Sequence, residues 1–270
     1  MAQNYQISII IPTWNTSLIT LKCIQTLRRY LPQNFAQIII VDNGSTDDTA
    51  KVMGKLKDIV YIRNSTNLGF AKGNNIGARQ ANAPTLLFLN SDMELIDSSI
   101  VDMVKYFNSH PQIGLIGPRF LNIDLTVQGS VMPPQTPLNA FKQYWLNIPN
   151  AYTKYSPNVS LPTPVWAVSG GAVLIKTNLY QQIGGWDERY FFYYEDLELC
   201  RQVRTLGQQI YYYPNCQLIH RHGASGTAIV DSKNQWRRLI PSSKLYFGYF
   251  THYLIFLITW SSQKIFGNHQ

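Results

Sequence analysis

The sequence predicts an α/β protein: a Rossmann-like, mostly parallel central sheet flanked by helices, with a helical segment added at the C-terminus. Three observations carry this. Over the first 120 residues, short apolar runs alternate with stretches at helical spacing, the pattern of strand–helix–strand units. The runs are apolar at consecutive positions, so both faces of each strand need cover, as in a parallel sheet. Apolar residues make up 45% of the 270 and charged ones only 14%, enough to build a sizeable core.

In chain order, Ile7–Ile11 forms the first strand; it is too short, and lacks the basic flank, to serve as a signal peptide. Leu21, Ile24, Leu27 and Leu31 mark the apolar face of a helix. Ile38–Val41 is the second strand, after which Ser45 or Thr46 is expected to cap a helix carrying Asp47 and Asp48 in its first turn. Val60–Ile62, Leu86–Leu89 and Gly114–Gly117 are further strands, and Ile100, Val104 and Phe107 a further helix. Residues 130–164, rich in Pro, Asn, Gln and Tyr, read as a long irregular excursion of the kind used for binding lids. Regular structure returns over Val165–Ile175. The aromatic run Tyr190–Tyr194 then leads into a helix starting near Glu195, with Leu197, Cys200, Val203 and Leu206 inward and Gly207 as its stop. A short strand, Leu218–His220, follows.

Charge and cysteine usage narrow the partners. The net charge is +8, which fits phosphate-bearing ligands or an anionic membrane surface; no nucleic-acid partner is expected. From Ser232 to Gln270 there is no Asp or Glu, while Lys233, Arg237, Arg238, Lys244 and Lys264 are basic. Cys23, Cys200 and Cys216 form neither a disulfide framework nor a Cys-x-x-Cys metal site, so a reducing cytoplasm is the expected compartment.

Ligands of open parallel sheets bind beyond the carboxyl ends of the strands. Three such ends collect polar residues here: Pro12-Thr13-Trp14-Asn15, Asp42-Asn43-Gly44-Ser45-Thr46-Asp47 and Asn90-Ser91-Asp92. Turn chemistry uses the same residue types, but three adjacent ends together point to a site. The oxygen donors of Asn90-Ser91-Asp92 suit Mg2+ or Mn2+, and His220 is placed to complete a metal shell, aided by His222, Gly223 and Ser225 nearby. Glu195-Asp196 stands at a helix start, where the dipole keeps a carboxylate ionised while the paired acid opposes it; such a group suits a general base near neutral pH. The alternative is that both acids cap the helix, with Arg201 and Arg204 as partners.

Taken together, these pieces resemble the family 2 glycosyltransferases, inverting enzymes of the GT-A fold, and more narrowly the bacterial rhamnosyltransferase-type members. The matching segments are Ser8–Asn15, Val41–Asp47, Asn67–Gly77, Leu89–Asp92, Ser169–Ala172 and Gly184–Glu188 running on through Tyr194–Arg201, in that order over most of residues 7–225. The resemblance implies a donor such as dTDP-rhamnose or a UDP-hexose, a glycan or lipid-linked acceptor, and a divalent cation, Mn2+ or Mg2+. It implies that Thr13, Asn15, Asp42, Asn67, Lys72, Asn90, Ser91 and Asp92 hold the nucleotide-sugar, with Asp42 accepting from a base N–H. Gly170, Gly171, Trp186 and Asp187 would border sugar and acceptor, Asp196 would be the base with Glu195 as fallback, and Asp92 and His220 would hold the metal. Asn90 departs from the two-acid Asp-x-Asp pattern and lowers the charge offered to a cation. The implied division is a catalytic domain over 1–230, its nucleotide half ending near 120, and a helical segment over 231–270.

In that last segment Leu245–Trp260 is apolar and aromatic but shorter than the roughly twenty residues that span a bilayer. It fits an interfacial helix on an anionic leaflet, at the inner face of the plasma membrane, or a helix packed on the domain or in a homodimer interface. Two rival functions remain at this point. A nucleotidyltransferase would show a Gly-rich basic loop where Pro12-Thr13-Trp14-Asn15 stands. A non-catalytic carbohydrate-binding protein would have no need of Asp42, Asp92 and Asp196 together.

Overall fold

A computed structural model describes residues 4–221 and 236–267. His222, Gly223, Ser225, Lys233 and the expected boundary at 230 lie outside the described residues. The order is β1 (Ile7–Thr13), α1 (Ser17–Tyr30), β2 (Ala36–Asp42), α2 (Thr49–Met53), β3 (Val60–Arg63), α3 (Phe70–Ala78), β4 (Thr85–Leu89), β5 (Met93–Leu95) and α4 (Ser99–Ser109). There follow β6 (Ile113–Leu121), β7 (Val127–Gln128), β8 (Val131–Met132), α5 (Pro137–Tyr144), β9 (Thr163–Pro164), β10 (Ala167–Val168), β11 (Ala172–Lys176), α6 (Thr177–Gln182), α7 (Glu195–Thr205) and β12 (Gln209–His220). Two further helices, here α8 (Trp236–Phe247) and α9 (Tyr249–Phe266), close the described chain.

The main sheet runs β3-β2-β1-β4-β11-β6-β12-β5. Its first four strands are parallel, β11 is antiparallel to β4 and β6, and β12 returns parallel to β6. Alternation along β1 splits the core into two layers. Ile7, Ile9 and Ile11 pack with Cys23, Ile24 and Leu27 of α1 on one face. Ile10 packs with Ala71 of α3, Val41 and Trp186 on the other. Consecutive apolar residues are therefore what this strand needs, since both faces are covered.

Two expectations are corrected. The helix after β2 begins at Thr49, not after Ser45 or Thr46, because those residues are engaged elsewhere. The Ser45 hydroxyl accepts from the Asn15 N–H at 2.9 Å, and the Thr46 N–H donates to Asn15 Oδ1 at 2.8 Å, tying this loop to the end of β1. Residues 130–164 are not wholly irregular: they contain β8, α5 and β9. Thr136 caps α5 by accepting from the Asn139 N–H at 3.1 Å, and Pro137 takes its first position.

The C-terminal helices pack on the domain. The Ser262 hydroxyl donates to the Tyr144 carbonyl at 2.6 Å, and Trp145 Nε1 donates to the Ile258 carbonyl at 3.1 Å, so α9 lies on α5. No helix among the described residues is long and apolar enough to cross a membrane.

Candidate active site

A cleft of about 340 Å³ opens where β1 and β4 end and the second half of the chain folds over them. Thr13 stands at the end of β1, buried, its hydroxyl bonded to those of Thr16 (2.9 Å) and Thr20 (2.7 Å). Asn43 and Asn67 also face the cleft; Asn67 Oδ1 accepts from the Gly69 N–H at 2.9 Å and shapes the turn before α3. Gly69 has φ +86, and a Cβ there would lie 2.6 Å from the Phe191 carbonyl oxygen. That close approach brings the aromatic run against α3, where the Phe70 N–H donates to the same carbonyl at 3.0 Å.

At the end of β4, Asn90, Ser91 and Asp92 all line the cleft. Asp92 is almost wholly buried, and its Oδ1 has no hydrogen-bond partner among the described residues. His220 Nε2 lies 3.5 Å from that oxygen. His220 Nδ1 meets Gln128 Oε1 at 2.6 Å, and the Gln128 amide is oriented by donating to Asn122 Oδ1 at 2.9 Å. With Gln128 Oε1 as acceptor, a neutral imidazole carries its proton on Nδ1 and presents the Nε2 lone pair to the carboxylate. Two acceptors facing each other in a buried site suit a shared cation, and a carboxylate plus one further ligand is how Mg2+ is commonly held when substrate phosphates supply the rest. The residues present therefore fit a divalent metal, although no cluster of three His, Cys, Asp or Glu ligands occurs among the described residues.

Across the same cleft stands the start of α7. Asp196 Oδ2 accepts from the Gly170 N–H at 3.1 Å and Oδ1 from the Leu197 N–H at 2.9 Å. A Cβ on Gly170 would lie 3.2 Å from that of Asp196, so the absence of a side chain lets the loop between β10 and β11 reach the carboxylate. Glu195 is buried deeper. Burial first, and the neighbouring Asp196 charge second, push its carboxyl up to about 8. Its Oε2 has no hydrogen-bond partner among the described residues. The two acids thus divide: Glu195 is sealed in, and Asp196 is the partly open one. Neither is paired with the expected arginines, since Arg201 bridges to Glu198 and Arg204 reaches the Trp166 carbonyl and ring.

Thr13, Asn67, Asn90, Ser91, Asp92, Gly170, Gly171, Glu195, Asp196 and His220 are brought together on this one cleft. Five other sequence candidates do not line it. Asp42 is fully buried behind it, accepting from the Ser45 N–H (2.8 Å) and the Tyr61 hydroxyl (2.7 Å), with Arg63 Nε 3.6 Å away. Asn15 is spent on the loop clip already described. Lys72 points outward from α3 and is exposed. Trp186 is enclosed by Phe70 and Phe88, forming the floor beneath Gly170 and not a wall. Asp187 is held by Arg189, whose guanidinium keeps its carboxyl below the usual range.

The structure adds residues that the sequence reading missed. Lys154, from the excursion, reaches the cleft and donates to Ser169 Oγ at 3.0 Å. Met132, Gln135 and Leu239 line it, as does the aromatic run from Phe191 to Tyr194, in which Tyr193 and Tyr194 both have positive φ (74 and 68). The Ser242 hydroxyl of α8 donates to the Phe192 carbonyl at 3.0 Å and braces this loop. Only the aromatic run carried a visible signal, by standing immediately before Glu195-Asp196.

A parallel first half, a mixed second half and an acidic loop at their seam are the architecture of the GT-A glycosyltransferases, whose solved structures share this fold. The chain belongs to glycosyl transferase family 2, whose family description matches residues 8–183. It is 25% identical over 233 residues to the O-antigen biosynthesis protein RfbC of Myxococcus xanthus, covering 83% of this chain but 18% of that one. It is 27% identical over 213 residues to the N-acetylglucosaminyl-diphospho-decaprenol L-rhamnosyltransferase of Mycobacterium tuberculosis, 70% of this chain and 67% of the relative. A mannosyltransferase of Pyrobaculum calidifontis, solved with GDP-Man and Mn2+, superposes with a TM-score of 0.62 at 13% identity, over 98% of this chain and 76% of that one. Family membership favours glycosyl transfer over the nucleotidyltransferase and non-catalytic readings.

Proposed function

We propose that the chain transfers a sugar, with inversion, from a nucleoside-diphosphate sugar such as dTDP-rhamnose or a UDP-hexose to a hydroxyl of a glycan or lipid-linked acceptor in surface polysaccharide assembly, at the cytoplasmic face of a membrane. One arrangement carries the reading: a partly open carboxylate, Asp196, fixed by two backbone N–H groups, shares a cleft with the buried Asp92–His220 pair.

Asp196 takes the acceptor proton, the freed oxygen electron pair forms the bond to the anomeric carbon, and the bond from that carbon to the diphosphate breaks with its pair leaving on the diphosphate. Attack from the side opposite the leaving group inverts the centre. Backbone donors at Gly170 and Leu197 hold the carboxylate in one orientation, so little reorganisation accompanies proton transfer. Asp92 and His220 would hold Mn2+ or Mg2+, which when bound supplies positive charge to the departing diphosphate. Thr13, Asn43 and Asn67 line the end of the cleft offered to the nucleoside, and the aromatic run offers stacking faces to sugar or acceptor.

The test is release of nucleoside diphosphate from a panel of nucleotide-sugars with Mn2+ and candidate acceptors, by the wild type and by Asp196→Asn. Turnover by the wild type alone supports the reading; equal turnover by both removes Asp196 as the base.

A further inference from the structure

We propose that the outer face of α9, together with the exposed edge of α5 beside it, docks on the surface of an anionic lipid bilayer. Helix α9 buries only a narrow stripe, His252, Ile255 and Ser262. Residues on its other sides are apolar yet open to solvent: Phe250 is 83% exposed, Leu257 56% and Trp260 47%, with Tyr253 and Phe256 between them. So much apolar surface on one helix is normally covered, and this one is covered on one side. Leu138 (62% exposed) and Phe141 of α5 extend the patch.

Charge selects the occupant. Neither α5, α8 nor α9 contains an Asp or Glu, whereas Lys142, Lys244 and Lys264 lie on them. A second copy would set lysines against lysines; an anionic leaflet would set them against phosphates. Lys244 Nζ stands 2.8 Å from the Tyr253 hydroxyl, so a cation and an amphipathic ring are presented side by side, the pairing that lies well at headgroup depth. Since α9 is not apolar enough to span, it would lie in the plane of the interface. Its neighbours reach the cleft: Gln135 stands two residues before α5, and Leu239 belongs to α8, so docking sets the cleft rim beside the leaflet.

The surface stands independently of the catalytic assignment, and it is tested without any nucleotide-sugar. The full chain is floated with phosphatidylcholine vesicles, with and without phosphatidylglycerol, at low and high salt. Two variants accompany it, Phe250→Ser/Leu257→Ser/Trp260→Ser and Lys244→Glu/Lys264→Glu, and each is checked by circular dichroism and sedimentation. Wild type should bind the anionic vesicles at low salt, and each variant should bind about tenfold or more weakly while remaining folded. Absence of binding by the wild type at low salt overturns the proposal, as does unchanged binding by both variants. A wild-type dimer that the serine variant converts to monomer, with no vesicle binding, assigns the face to a second copy instead. Flotation of a wild type that turns over no nucleotide-sugar in the separate assay above would count against the proposed function alone.

Discussion

His220 Nε2 lies 3.5 Å from Asp92 Oδ1, and strand register puts it there: β12 pairs antiparallel with β5 so that His220 stands opposite Met93. The residue after a β4 turn and the last residue of the longest strand are thereby joined on one side of the cleft. Gln128, on β7, meets the other ring nitrogen, Nδ1, with its amide oxygen at 2.6 Å and orients the ring from behind.

If that pair holds the cation, removing the ring-orienting amide weakens binding without touching a ligand. Gln128→Leu should lower Mn2+ affinity about 10- to 100-fold, and Asp92→Ala should lower it further. Calorimetric titration of Mn2+ in the presence of nucleoside diphosphate measures both. Unchanged affinity in Asp92→Ala would place the metal elsewhere.

Asp196→Asn keeps the shape of the side chain and removes its capacity to take a proton. Turnover should fall by at least about 10²-fold, the usual worth of a positioned base. Donor dissociation constants, read by fluorescence or calorimetry, should stay within about twofold.

Glu195 gives a pH signature. In the folded chain its carboxyl is pushed up to about 8 from 4.5, so the native state holds a proton that the unfolded chain releases. Stability from this group is full below about 4.5 and is lost as pH rises through about 8. Urea midpoints of wild type and Glu195→Gln, compared between about pH 5 and 8, should show the wild type losing a few kcal/mol relative to the variant. Parallel pH profiles would show that Glu195 is not held protonated.

Gly69→Ala should be far costlier than Gly184→Ala, although both glycines have positive φ. The first would drive a methyl group against the Phe191 carbonyl oxygen, whereas nothing lies within 4 Å of the second. A loss of about 3–5 kcal/mol and a melting temperature lower by several degrees are expected for Gly69→Ala, where backbone strain and steric clash add, with about 1 kcal/mol for the control. Thermal denaturation of the pair decides it.

The fold was readable because its parallel strands are written as uninterrupted apolar runs, Ile7–Ile11 and Leu86–Leu89 above all, and because polar residues follow them directly. Asn90-Ser91-Asp92 and Glu195-Asp196 were readable for the same reason, each standing at the terminus of an element. What periodicity does not encode is lateral register. The partners of Asp42 are one example: pairing of β3 with β2 sets Arg63 opposite it and brings the Tyr61 hydroxyl onto its carboxylate, and no sequence pattern shows either. Ser45 and Thr46 have the composition of helix caps, but their hydrogen-bonding groups are claimed by Asn15 from the loop that follows β1. Lys154 lies in an aperiodic stretch, and only the pairing of Tyr155 with Val131 carries it to the cleft.

The hydrogen bond from the Phe70 N–H to the Phe191 carbonyl joins the turn before α3, where the nucleotide would bind, to the aromatic loop, which would face sugar or acceptor. If a donor that orders the first also restrains the second, the linkage runs in both directions with equal magnitude. Double-reciprocal initial-rate plots should then intersect above the concentration axis, each substrate sharpening the apparent affinity for the other, and the free diphosphate should act as a trap for acceptor in a non-productive ternary complex.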